Sequence, residues 1–191
     1  VSSQEPKVLS GIRPRQIYLL GLRASGKSST GQILAGHLGG VFVDLDDITP
    51  GVLGERTAAD ALLRHGEPAF RHAERLALDD PRVLAASVVA LGGGTPTHTP
   101  SRDELRRRAM SDAGAGSASL IYLRASAETL HARLATTDLA TRPGLLFGNP
   151  LAEIDALWAL RDPIYQALAT RVIQIDAMTP DQVAVVLSCS S

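Results

Sequence analysis

Residues 21–28 read Gly21-Leu22-Arg23-Ala24-Ser25-Gly26-Lys27-Ser28, a G-x-x-x-x-G-K-S phosphate-binding loop. Each fixed position has a physical task. The glycines allow a tight turn that gathers several backbone N–H groups into one concavity. A helix beginning there adds its positive end. Lys27 reaches toward β- and γ-phosphates, and the Ser28 hydroxyl is a hard oxygen ligand suited to Mg²⁺. Gly21, Arg23, Ala24, Ser25, Gly26, Lys27, Ser28 and Ser29 are therefore the expected nucleotide-binding stretch. Other residues also have types and spacing that could do chemistry. Asp44 and Asp46 stand two apart, and a carboxylate there could orient a hydroxyl and accept its proton; a solvated acidic turn is the plainer reading. Arg71 and Glu74 are three apart and Glu67 precedes Arg71 by four, which suits a helix-borne ion-pair network. Gly92-Gly93-Gly94 lets backbone amides approach a ligand closely.

These residues need a scaffold, and the apolar periodicity supplies one. Gln16-Ile17-Tyr18-Leu19-Leu20 reads as a buried strand, and Ser29–Leu38 as a helix with Ile33, Leu34 and Leu38 on one face. Val41-Phe42-Val43 is a second strand running into Asp44. Helical patterns follow over 57–65 and 68–78. Ser87–Leu91 is a third strand closed by the three glycines, and a charged helix covers about 101–110. The small residues of 111–119 read as a loop. Leu120–Leu123 is a fourth strand and Ala127–Leu134 a helix. Thr, Gly and Pro dominate 136–150, which reads as a mobile loop. Leu151–Leu168 is a long helix that Pro163 should interrupt or kink. Arg171–Ile175 is a fifth strand. Thr179 caps a last helix, with Pro180 in its first turn and Val183, Val186 and Leu187 as its apolar contacts. Strands alternating with helices mean an α/β domain with a mainly parallel sheet, whose ligands collect at the carboxyl ends of the strands. The phosphate loop, the aspartates and the triple glycine all fall there.

At 191 residues the chain suits one domain. A formal net charge of −1 gives no basic surface for nucleic acid or anionic membrane, and no apolar run reaches the length of a membrane span. The single cysteine, Cys189, fits a reducing cytoplasm. Residues 1–15 are expected to be a flexible tail, 16–187 the single domain and 188–191 a second tail.

One arginine stands out. Ile154, Leu157, Trp158, Tyr165 and Leu168 recur at helical spacing, and Arg161 falls on the same stripe. A charge on an apolar face needs a partner, unless it snorkels from the edge.

Six motifs in order, G-x-x-x-x-G-K-S at 21–28, D-x-D at 44–46, G-E-x-x-F-R-x-x-E at 66–74, G-G-G at 92–94, R-P at 142–143 and R-x-P-x-Y at 161–165, resemble the shikimate kinase family. The resemblance runs from about Gln16 to Leu187. It implies a three-layer α/β/α sandwich of the P-loop kinase fold, with a five-stranded parallel sheet in the order 2-3-1-4-5. It implies transfer of the γ-phosphoryl of ATP to the 3-hydroxyl of shikimate, with Mg²⁺ as cofactor. It puts Asp44 near the metal together with Ser28. Asp46 falls on the shikimate hydroxyls, Arg71 and Arg161 on its carboxylate with Glu74 holding Arg71, and Gly92, Gly93 and Gly94 along its wall. Lys27, Asp46 and Arg142 become the catalytic set, with Arg142 on a lid over about 136–150. Arg133 is expected to stack on adenine, and the loop 176–180 to edge the adenine pocket. A monomer is expected. Two departures stand out: Gly144 separates Arg142-Pro143 from Leu145-Leu146, and Ala24 replaces a frequent glycine. The rivals are a kinase for another acceptor, such as gluconate or a nucleoside monophosphate, and a shikimate-kinase-like sensing domain of a transcription regulator. The whole motif set together speaks against the first, and the presence of every residue expected for the chemistry, with no helix-turn-helix and no basic patch, against the second.

Overall fold

The computed structural model describes residues 16–110, 118–136 and 150–189. Its sheet has five strands: β1 (Ile17–Leu20), β2 (Phe42–Asp44), β3 (Val88–Ala90), β4 (Ser119–Arg124) and β5 (Arg171–Gln174). All neighbours are parallel, in the order β2-β3-β1-β4-β5. Ile17 pairs with Val88 on one side and Ser119 on the other, which makes β1 the central strand. Every residue of β1 and β3 is buried. Strands buried on both faces require helices above and below the sheet, the three-layer arrangement. The edge strands are less covered: β2 is half-buried throughout, and β5 alternates half-buried with exposed.

The helices are α1 (Lys27–His37), α2 (Leu45–Val52), α3 (Ala58–Ala77), α4 (Pro81–Ala85), α5 (Thr99–Met110), α6 (Ala127–Ala135), α7 (Pro150–Leu168) and α8 (Pro180–Ser188). Several begin at side-chain caps that satisfy otherwise orphaned N–H groups. Thr57 accepts from the Asp60 amide, Ser126 from Thr129, and Thr179 from Gln182 in a full capping box. α3 is two helices joined at Gly66, whose φ of 77° and ψ of 168° belong to a region open almost only to glycine. That break, followed by Pro68, sets the direction of the second half, which carries Arg71 and Glu74.

Three local expectations change. The stretch after β2 is a helix, α2, because Asp44 caps it through the Asp46 amide (3.1 Å) and Leu45, Ile48 and Thr49 form its buried side. α7 continues through Pro163: the carbonyl deprived of its donor belongs to exposed Ala159, where water can replace the lost bond. On α8, Ala184 joins Val183 and Leu187 in the core, while Val186 faces outward.

α5 is fastened by charge. Glu104, nearly buried, accepts from Arg107 and Arg108, and Arg108 also donates to the Tyr18 hydroxyl (2.7 Å) and the Leu78 carbonyl (3.0 Å). The hydrogen bonds from Arg107 and Arg108, against a smaller opposing effect of burial, hold the Glu104 carboxyl down at about 2. Among the described residues no helix is long and apolar enough to cross a membrane.

Candidate active site

A cavity of about 640 Å³ opens at the carboxyl ends of the strands. The loop between β1 and α1 supplies Arg23, Ala24 and Gly26 to its wall, and the first turn of α1 supplies Lys27, Ser28 and Ser29. Gly26, in the left-handed region at φ 81°, is the N-cap of α1. Ala24 is also left-handed, at φ 63°, the single non-glycine residue so placed among those described. Gly21 and Ser25 are not among the lining residues, and the Ser25 hydroxyl is buried without a hydrogen-bond partner among the described residues. Lys27 donates from Nζ to the carbonyls of Gly21 (2.8 Å) and Leu22 (3.0 Å). Its ammonium therefore lies across the loop whose amides converge.

Ser28 and Asp44 meet: the Ser28 hydroxyl donates to Asp44 Oδ2 at 2.6 Å. One comes from the start of α1 and the other from the end of β2. Two hard oxygens so close, beside a phosphate loop, are the donor type that an octahedral Mg²⁺ takes, and phosphates and water would have to supply the other four positions. Asp46, in the first turn of α2, lines the same cavity together with Asp47. Burial and the neighbouring Asp44 push the Asp47 carboxyl up.

Another part of the cavity wall carries arginines. Arg71 is buried on α3 and donates from Nη1 to Glu74 Oε2 (2.7 Å) and from Nη2 to Glu67 Oε1 (3.0 Å). Burial opposes its charge, but the two carboxylates outweigh burial and raise its pKa. Glu74 is fully buried and also accepts from the Thr95 hydroxyl at 2.8 Å. Burial nevertheless pushes its carboxyl up, against the pull of Arg71 and Thr95, and the charge of Asp46 adds to the rise. Gly94 explains the triple glycine: a Cβ there would sit 2.0 Å from Arg71 Cζ. The arginine thus lies directly against the backbone of that loop. Gly93 lines the cavity and Gly92 does not.

Arg161 is buried on α7 and donates from Nη1 to the Gly93 carbonyl at 3.0 Å. Its Nε is buried without a hydrogen-bond partner among the described residues. The stripe reading therefore finds its partner in a backbone carbonyl and keeps donors in reserve. Next to it, buried Asp162 receives the Tyr122 hydroxyl (2.8 Å) and Arg124 (2.7 Å), and Arg124 stacks 5.3 Å from the centre of the Trp158 ring. Trp158 donates to the Ala125 carbonyl at 2.9 Å. These bonds moor α7 to the end of β4.

Arg133, on α6, lines the cavity and donates to the carbonyls of Ile175 (2.8 Å) and Met178 (3.2 Å). It thereby joins the loop 176–180. Asp176 in that loop binds the Ser126 amide and the Thr129 hydroxyl, which hold its carboxyl at about 2. Arg142, Pro143 and Gly144 lie outside the described residues, as does the lid expected at 136–150 apart from Thr136 and Pro150.

The cavity also has walls that sequence reasoning left unassigned: Arg56, Leu62, Phe70 and Leu157. Phe70 and Leu157 read as ordinary core in the sequence, because an apolar side chain facing a ligand cleft has the same periodicity as one facing the interior. The F in the F-R-x-x-E motif was the available signal for Phe70.

Comparison with known proteins places this arrangement. The family model described as shikimate kinase matches residues 23–188. The chain is 38% identical over 166 residues to a shikimate kinase of Oleidesulfovibrio alaskensis, covering 86% of this chain and 90% of that one. It is 36% identical over 172 residues to a shikimate kinase of Symbiobacterium thermophilum, covering 90% and 93%. Among solved structures it resembles shikimate kinase from Acinetobacter baumannii in complex with shikimate, with a TM-score of 0.76, 28% identity and coverage of 91% and 90%.

Proposed function

This chain belongs to the shikimate kinase family, ATP-dependent phosphotransferases acting on a hydroxyl group, and from that premise we propose how its residues share the work. The reaction is transfer of the γ-phosphoryl of ATP to the 3-hydroxyl of shikimate. The observation that carries the acceptor assignment is the meeting of two buried arginines, Arg71 and Arg161, at the Gly93–Gly94 backbone, inside the cavity that also holds Lys27 and Asp46. An anionic, hydroxyl-bearing acceptor matches that pairing of cations with a carboxylate.

Phosphoryl transfer asks the protein chiefly for positioning and charge neutralisation. The amides of residues 21–29 and Lys27 hold the phosphates. Ser28 and Asp44 would hold Mg²⁺, which supplies charge neutralisation on the phosphate oxygens when bound. Asp46 orients the attacking hydroxyl and takes its proton. Arg71, kept in place by Glu74, and Arg161 grip the carboxylate; Gly93 and Gly94 form the wall. Arg133 and the loop 176–180 flank the adenine. Arg142, which lies outside the described residues, is on the family resemblance the further catalytic arginine for the transferring group. Residues 16–187 act as one catalytic unit, working as a cytoplasmic monomer.

The test is ADP release by the purified chain with MgATP, with and without shikimate, and with gluconate and AMP as control acceptors. Shikimate-dependent turnover is expected. Lys27→Ala and Asp46→Asn should each lower it by about two to four orders of magnitude with an unchanged far-ultraviolet spectrum. Near-normal turnover in either variant overturns that residue's role, and indifference to shikimate overturns the acceptor.

A further inference from the structure

We propose that Tyr165 is a positioning residue for the acceptor carboxylate: its hydroxyl, acting with Arg161, pins the Gly93 carbonyl and so fixes both Arg161 and the glycine loop against which the acceptor lies. This rests on the acceptor assignment above and adds to it a residue that does not itself line the cavity.

Tyr165 is completely buried, one helical turn beyond Arg161 on α7. That spacing puts both side chains on one face of the helix. The Tyr165 hydroxyl donates to the Gly93 carbonyl, and Arg161 Nη1 donates to the same oxygen. A carbonyl has two lone pairs, and both are engaged here. Because the peptide is planar, holding the Gly93 oxygen also fixes the plane that carries the Gly94 N–H. Gly94 in turn lies against the guanidinium of Arg71. One carbonyl thus sets the position of both arginines. Without the phenol, Arg161 would be free to follow the loop or leave it.

The phenol is itself well anchored. Its ring meets the Tyr122 ring edge-on, with centroids 5.1 Å apart, and the Tyr122 hydroxyl is committed to Asp162. Burial pushes the Tyr165 hydroxyl up to about 12, with Arg161 and Arg71 pulling the other way and Glu74 adding to the rise. The group therefore stays a donor across the working pH range. A ring required only for packing would need no hydroxyl; a buried one aimed at a loop carbonyl has a directional task.

The test is the Tyr165→Phe variant, which keeps the ring and deletes the donor. KM for shikimate should rise about tenfold, the worth of one buried hydrogen bond, while KM for ATP stays within twofold. Tyr165 acts through the carboxylate clamp, so the penalty should shrink to within about threefold when wild type and variant are compared on the methyl ester of shikimate. Tyr122→Phe deletes the adjacent hydroxyl, whose bond goes to Asp162, and should lower the melting temperature without the selective KM effect. Tyr165→Met, which keeps bulk without a donor, repeats the comparison if the phenylalanine variant does not fold. An unchanged KM for shikimate overturns the inference, as does an equal penalty on acid and ester. Failure of the wild-type protein to use shikimate would instead overturn the acceptor assignment, and that is read before any substitution is made.

Discussion

Substituting Gly94 by alanine tests the acceptor clamp without touching either arginine. The added Cβ would lie 2.0 Å from Arg71 Cζ, 2.2 Å from Nη1 and 2.3 Å from Nη2. Ordinary contact between such atoms is about 3.5 Å or more, so the guanidinium must retreat by about 1.5 Å. It is the far end of a flexible side chain, so the backbone can stay in place while the side chain yields. The retreat breaks its 2.7 Å bond to Glu74 and carries the fork away from the acceptor. A hydrogen bond to a charged group contributes about 1.5–3 kcal/mol. Loss of one arm of the clamp, at about 2 kcal/mol, should raise KM for shikimate about thirtyfold. Arg161 still holds the other arm, so binding is weakened and not abolished. KM for ATP should stay within twofold, because the nucleotide loop lies on another strand end. Steady-state kinetics with each substrate varied in turn gives both numbers, and thermal denaturation checks the fold. A Gly94→Ala enzyme that folds normally and keeps its KM for shikimate within threefold would refute the argument that Arg71 works from its place against this backbone.

Two further outcomes follow from the scaffold. Gly66→Ala puts a Cβ at φ 77° and ψ 168°, so chemical denaturation should find it less stable by about 2–3 kcal/mol, with KM for shikimate raised because the helix bearing Arg71 is redirected; equal stability would mean that the break does not need glycine. Glu104 has a folded pKa of about 2, below its ordinary value of 4.5, so its contribution is fully present above that ordinary value and fades as pH falls toward 2. Glu104→Gln should remove about 2 kcal/mol of stability at neutral pH, less than the full shift implies because its partner Arg107 is largely solvated. Its acid unfolding should begin from a lower plateau with a flatter slope between about pH 5 and 2; parallel acid limbs for the two proteins would remove Glu104 from the explanation.

The sequence carried the alternation of strands and helices, because buried parallel strands leave short apolar runs and each begins or ends beside a recognisable turn. The strand order and the acceptor came from the six-motif resemblance, since no local pattern says which strands lie side by side. The site residues separate along the same line. Arg161 was legible because a charge interrupts an apolar stripe; helical spacing made the Arg71–Glu74 ion pair legible, while the place of Arg71 in the site came from the resemblance. α2 was hidden: Pro50 and Gly51 argue against a helix, and only the cap at Asp44 with Leu45, Ile48 and Thr49 argues for one. Pro163 misled because its cost depends on whether the freed carbonyl meets water, which is a property of the packed helix. Tyr165 looked like core for the same reason as Phe70 and Leu157. Periodicity reports burial and is blind to where a hydroxyl points.

The all-parallel order of the sheet has a consequence for how this enzyme comes into being. No two neighbouring strands are joined by a hairpin: β1 lies beside β3 and β4, and β4 is followed by two helices before β5. Each pairing closes a long loop before any contact compensates the lost chain entropy, which makes such topologies slow to form. The cleft inherits this order. Lys27 and Asp44 come early in the chain, but the carbonyl of Gly93 meets its donors only once α7 has been synthesised and docked. A ribosome-bound chain stopped before residue 161 already contains the phosphate loop yet lacks half of the acceptor grip. Recognition of the acceptor is therefore acquired later in synthesis than the phosphate loop.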